Sequence, residues 1–297
     1  MPGERSAAIR LYDRYTHEGM DRRAFMEELT RIAGSAAAAA ALLAGIAADP
    51  AAAAIVAEKD RRLRTRRMAW PVGGGRTMKG YQAEPRRPGG PLGAVLVIHE
   101  NRGLNGHIED VARRLAVAGY RAVAPDFLSG AGGTPADQDA AREAIGKLDL
   151  GRAAADAVAT LRLLKAMPGS NGKAGTVGFC WGGAMVNRVA VAAGDALEAG
   201  VSFYGPAPDP SLAAQVRAPL QLHYAGLDER VNRTGLPWRD ALQAAGKTVE
   251  AHIYPNVHHA FHNDSSAERY DRAAAELAWR RTLAFFGRYV ATAPPIM

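Results

Sequence analysis

The sequence predicts an α/β fold, a mostly parallel central sheet flanked by helices with an N-terminal helical extension. Three observations carry this. Short apolar runs recur along residues 68–292, and each is followed by a stretch with helical spacing. Those runs are continuous and rich in Val, Leu and Ala rather than alternating, as strands covered on both faces must be. One run ends in a glycine-bracketed turn that leads straight into a helix, a junction that open parallel sheets use at their carboxyl edge.

In chain order, residues 1–67 come first and hold 12 Lys/Arg against 9 Asp/Glu, a net of +3. Asp21-Arg22-Arg23-Ala24-Phe25-Met26 followed by an alanine-rich, weakly apolar region resembles a twin-arginine export signal. Glu27 and Glu28 between the arginines and that region oppose this reading. The alternative is a retained helical arm packed on the domain or on a second subunit of a homodimer. Location in the cytoplasm and export are both open, and the stretch is too weakly apolar for a confident membrane span. The run Lys59 to Arg67 carries six basic residues and reads as a solvated helix face or linker rather than a nucleic-acid contact.

The segment Thr77–Gln82 is expected to add an antiparallel edge. Strands are then expected over Ala94–His99, Arg121–Ala124, Ala174–Phe179, Gly200–Phe203, Pro219–Ala225 and Thr248–Tyr254. Helices are expected over Ile108–Ala118, Ala153–Lys165, Gly182–Ala193, Leu236–Ala245 and Ala267–Tyr289, leaving 293–297 as a tail. About 220 residues is an ordinary size for one such domain.

Gly178-Phe179-Cys180-Trp181-Gly182 holds the only cysteine of the chain. A G-x-nucleophile-x-G segment between strand and helix forces a sharp, strained turn and lifts the central side chain above the sheet. A thiol there ionises more easily than a hydroxyl and leans less on a base. Partners are expected later in the chain, in the order acid then histidine. Gly226-Leu227-Asp228 follows the strand Pro219–Ala225, and the loop Pro255-Asn256-Val257-His258-His259-Ala260-Phe261 follows the strand Thr248–Tyr254. Cys180 and Asp228 with a histidine of that loop thus form a candidate triad. A metal held by His258, His262 and Asp264 or His252 is also conceivable. With no H-E-x-x-H helix and no second cysteine, no metal and no cofactor is expected.

The chain resembles the dienelactone hydrolases (carboxymethylenebutenolidases) of the α/β-hydrolase superfamily. The matching segments are Val97-Ile98-His99-Glu100-Asn101-Arg102-Gly103-Leu104, Ala122-Val123-Ala124-Pro125-Asp126, Gly178 to Gly183, Gly226-Leu227-Asp228 and His259-Ala260-Phe261. The resemblance implies His259 as the base, because in that family the catalytic histidine precedes a small residue and a phenylalanine. It also implies that Glu100 holds the thiol proton of Cys180 in the resting enzyme, within hydrogen-bond reach of the sulfur. The oxyanion hole would be the backbone N–H groups of Trp181 and Asn101.

The family holds its substrate carboxylate with arginines, one of them just past the catalytic histidine. Here Phe261-His262-Asn263-Asp264 has none, so Arg102 and Arg269, with Tyr204, are the substrate-binding candidates. The expectation is a Cys–His–Asp hydrolase of small esters or lactones. The alternatives are a general carboxylesterase on the same triad, or a non-catalytic binding protein of this fold. The net charge of +7 is spread out, and neither nucleic acid nor an obligate membrane partner is expected.

Overall fold

Continuous apolar runs, buried on both faces, build the centre of the sheet. The computed structural model describes residues 2–47, 49 and 54–291. Its sheet is made of β1 (Leu63–Gly73), β2 (Arg76–Pro85), β3 (Leu92–Ile98), β4 (Arg121–Asp126), β5 (Ser170–Phe179), β6 (Ala199–Phe203), β7 (Leu220–Ala225) and β8 (Val249–Tyr254). The order is β1-β2-β4-β3-β5-β6-β7-β8. β1 with β2 and β2 with β4 pair antiparallel, and all other pairs are parallel.

Side chains of β3 alternate between the two faces: Val95 and Val97 enter one apolar cluster, and Ala94, Leu96 and Ile98 the other. The first face is covered by α4 (Gly106–Val117) and α9 (Arg272–Tyr289). The second is covered by α6 (Leu150–Ala166), α7 (Trp181–Ala192) and α8 (Glu229–Ala244); α5 (Gln138–Gly146) lies between β4 and α6 in the chain. Each fully buried Val, Leu or Phe contributes about 1.5–3 kcal/mol, so these two clusters dominate the stability of the domain.

Two helix starts, set by capping aspartates, lie furthest from the sequence expectation. Asp228 accepts from Val231 N–H at 3.1 Å and starts α8 at Glu229 rather than Leu236. Asp271 accepts from Ala274 N–H at 2.9 Å and starts α9 at Arg272 rather than Ala267.

The basic run Lys59–Arg67 is not a helix face. β1 starts inside it at Leu63, before the residue-68 boundary expected for the domain. Leu63 is buried while Arg64, Arg66 and Arg67 point outward. Arg67 pairs with Glu109 at 2.5 Å, and Arg66 donates to Gln82 at 3.0 Å. Charged side chains along an edge strand discourage pairing with another chain.

The N-terminal segment forms α1 (Pro2–His17), α2 (Arg22–Ala33) and α3 (Ala36–Ile46). Asp21 caps α2 through Arg23 N–H at 2.8 Å, Gly34 closes it at φ 79°, and Ser35 caps α3. The three helices share their own apolar cluster, in which Ile9, Leu11, Tyr12, Tyr15, Phe25, Leu29 and Ile46 are buried. Among the described residues no single helix is long and apolar enough to cross a membrane. α2 and α3 reach that length only together, with a 107° bend between them.

Candidate active site

The strand order reverses at β3, and the carboxyl ends of β3, β5, β7 and β8 converge on the crevice this creates. Cys180 stands between β5 and α7 at φ 56°, ψ −111°, a conformation costing on the order of 1–3 kcal/mol. Its neighbours enforce it. A Cβ at Gly178 would lie 2.2 Å from the Gly182 carbonyl, and one at Gly182 would lie 2.3 Å from the Ile98 carbonyl. The Cys180 N–H is tied to Phe203 O at 3.0 Å. The sulfur therefore stands at the α7 N-terminus, where free N–H groups face any negative charge that develops.

Asp228 and His259 meet across the ends of β7 and β8. His259 Nδ1–H donates to Asp228 Oδ2 at 2.5 Å, and both residues are buried. Burial pushes His259 down, but the Asp228 carboxylate and the Cys180 sulfur outweigh it and lift the imidazole to about 10. Burial likewise opposes ionisation of Asp228, yet the facing His259 cation holds the carboxyl below its usual range. One ligand atom each of Cys180 and His259 lie within 4.8 Å of one another. The structure thus brings together Cys180 and Asp228, named from their order in the chain, and His259, the histidine that the resemblance selects. The metal grouping of His258, His262, Asp264 and His252 does not converge: His258 meets Ser6 Oγ at 3.1 Å, while His262 stacks on Phe179 at 5.1 Å.

Trp181 is the first residue of α7, so its N–H has no acceptor within the helix. Asn101 lies in the loop after β3, which His99 pins: His99 Nδ1 lies 2.7 Å from Glu100 O, and its Nε2 accepts from Phe127 N–H at 3.3 Å. The Trp181 indole stacks on the His99 ring at 5.4 Å. Sequence reasoning gave His99 no role beyond its place in the motif. Tyr204 follows β6 at φ 38°, its ring 4.9 Å from that of His259 and its buried hydroxyl without a partner.

The expected Glu100–Cys180 hydrogen bond is not among those formed by the described residues. Glu100 is buried and lines the same cavity, but its Oε2 accepts from Asn263 Nδ2 at 2.8 Å. The partner of Cys180 Sγ is His17 Nε2 at 3.8 Å. The amide of Asn263 offers the carboxylate a stronger donor than a thiol does.

His17 comes from the last turn of α1, a residue the sequence did not mark. Tyr12, Thr16 and His17 line the cavity over Cys180 beside Glu100, Asn101, Arg102, His259, Ala260 and Arg269. The space left is about 20 Å³, enough for one water and far below the several hundred Å³ of ordinary ligand pockets. The arm also occupies both candidate arginines. Arg102 donates to Tyr12 OH at 2.8 Å, and Arg269 donates to Ile46 O at 3.0 Å with its guanidinium 5.1 Å from the Tyr12 ring. Asp13, beside His259, is pushed up to about 6 by burial, against the pull of His259 and Arg269. Burial sends His17 well below its usual value, and the cations Arg230 and His259 add to this.

Comparison with known proteins agrees with the geometry. Residues 78–290 match the model of the dienelactone hydrolase family, which leaves α1, α2 and α3 outside the match. A putative carboxymethylenebutenolidase of Methylorubrum extorquens is 32% identical over 224 residues, 70% of this chain and 76% of the relative. A second, from Escherichia coli O157:H7, is 32% identical over 72% of this chain and 84% of its own length. The crystal structure of a putative dienelactone hydrolase from Klebsiella pneumoniae superposes with a TM-score of 0.70 at 30% identity, covering 76% of this chain and 99% of that one. Fold, motif order and these matches converge: the chain belongs to the dienelactone hydrolase family.

Proposed function

We propose that the protein hydrolyses carboxylic esters or lactones through an acyl-enzyme on Cys180, as a carboxymethylenebutenolidase would. The observation that carries this reading is the buried His259–Asp228 pair at 2.5 Å beside an elbow cysteine held at φ 56°. The Cys180 sulfur attacks the carbonyl carbon. The Trp181 and Asn101 N–H groups take the negative charge that moves to the carbonyl oxygen. His259 gives a proton from Nε2 to the departing alkoxide, then takes one from the water that attacks the thioester. Asp228 keeps the ring oriented and stabilises its cationic form. No cofactor enters this cycle. Arg102 and Arg269, once the arm yields them, would hold a substrate carboxylate with Tyr204, and a substrate of ester size needs the end of α1 to withdraw.

The test is turnover of an activated aryl ester and of a panel of lactones. Cys180→Ala should abolish turnover while leaving the melting temperature nearly unchanged. Retained turnover would exclude the cysteine mechanism. A wild-type protein that turns over nothing, even with the arm loosened, would favour the non-catalytic binding reading.

A further inference from the structure

The N-terminal arm adds a third soft donor to the Cys180–His259 pair. His17, Cys180 and His259 each offer a ligand atom, and these atoms lie within 4.8 Å of one another, a grouping found nowhere else among the described residues. His259 is 1% exposed, its Nδ1 is engaged by Asp228, and its Nε2 has no hydrogen-bond partner. That is the arrangement of a metal-ligating histidine oriented by a carboxylate behind it. The His17 Nε2 to Cys180 Sγ separation of 3.8 Å is close to the roughly 3.6 Å between sulfur and nitrogen in a tetrahedral zinc site. The three residues line a cavity of about 20 Å³, which excludes an ester but leaves water-sized space beside the three ligand atoms.

We propose that His17, Cys180 and His259 form a binding site for a soft or borderline divalent ion, zinc foremost, with water in the fourth position. The donor set of one thiolate and two imidazoles selects against magnesium and calcium, which take oxygen ligands. Cys180 binds as the thiolate and His259 as the neutral imidazole through Nε2, and the protons that the sulfur and the ring nitrogen held go to bulk water. The ion bridges α1 to the elbow and to the β8 loop, so it holds the arm closed over the catalytic cavity. Metal binding and acylation use the same sulfur and exclude each other. The site stands whatever reaction Cys180 carries out.

Cobalt(II) titration of the full-length protein tests this directly. One equivalent should give a thiolate-to-cobalt charge-transfer band and the strong visible bands of a tetrahedral ion, both displaced by zinc. Cys180→Ser should abolish the charge-transfer band. His17→Ala should weaken binding by more than the roughly tenfold to 100-fold typical of outer-shell losses. His258→Ala, outside the donor set, should bind as the wild type does. Zinc should slow alkylation of Cys180 in the wild type and much less in His17→Ala, whose thermal unfolding is checked alongside. A stoichiometric complex without the thiolate band, no complex at all, or an unchanged affinity in His17→Ala each overturns the proposal.

Discussion

The hydrolase domain and the N-terminal arm are held by different physics. In the domain, apolar side chains from strands and helices interlock through two clusters that sandwich the sheet. The apolar cluster of the arm draws only on residues 8–47, and none of its members belongs to the domain. What joins arm to domain is polar. Arg142 donates to Tyr15 O at 2.7 Å, Arg22 pairs with Asp139 at 2.6 Å, Arg5 pairs with Glu268 at 2.5 Å, and Ser266 Oγ donates to Ile46 O at 2.6 Å. Arg22 and Arg5 are at least half exposed, and such pairs contribute about 0–1 kcal/mol each. The arm is therefore a small folded unit docked by contacts that water can replace, whereas no part of the domain can leave without exposing its core.

The largest effect should come from the domain core. Phe203, fully buried under the elbow, should cost about 3–5 kcal/mol when changed to Ala and lower the melting temperature of the whole protein by roughly 6–20 °C. Phe25→Ala removes a comparable side chain from the arm, where it stacks on Tyr15 at 4.4 Å. Here the main melting transition should stay near the wild-type value while alkylation of Cys180 accelerates strongly. A large fall in that transition would mean that arm and domain unfold as one, and the comparison fails.

Arg142→Ala deletes one docking contact, a guanidinium that also lies 4.2 Å from the Tyr15 ring. A loss near 1 kcal/mol should speed Cys180 alkylation about fivefold. Unchanged alkylation would show that this contact does not hold the arm.

The smallest effect concerns pH. Asp13 is raised to about 6 when docked, against 3.8 ordinarily. Its share of docking energy is full below 3.8 and lost as pH rises through about 6. His17 is lowered when docked, so its share is full above 6.5 and lost as pH falls toward its docked value. Below about 6 the two shifts oppose each other, so docking of the wild type should depend less on pH there than it would with either group alone. Asp13→Asn leaves His17 alone, so docking should weaken on acidification below 6.5 by at most tenfold per pH unit. Hydrogen-exchange protection of the α1 amides, corrected for intrinsic rates, reads this. A flat profile in the variant contradicts the opposed pair.

Much of the domain was legible because its signals are local. The strands of the parallel part announced themselves as apolar runs, or for β8 as an alternating one, and Gly178 and Gly182 announced the elbow because no larger residue fits there. Asp228 and a histidine of the loop after β8 could be named because strand ends in this topology all face one crevice, and the family resemblance then selected His259 over His258. β1 was missed because its basic residues point outward along a sheet edge and leave too few buried positions to show a period of two. The partner of Glu100 was missed because the Asn263 amide comes from 163 residues away. His17 lay beyond reach for the same reason. Nothing local distinguishes a histidine at the end of an amphipathic helix from one that stops 3.8 Å from a sulfur.

Tyr12 OH on Arg102 and Ile46 O on Arg269 make the arm a tethered competitor. A ligand carboxylate reaching for either guanidinium must first displace a hydrogen-bond acceptor that belongs to the same chain and is never diluted. For an anionic ligand held by these arginines, as proposed above, the measured affinity would be its intrinsic affinity multiplied by the open fraction. If the arm is open about 1% of the time, a micromolar ligand binds with an apparent constant near 100 μM. Dose–response curves on the intact chain would then rank ligands by how well they compete with Tyr12 and Ile46, as well as by how well they fit the pocket.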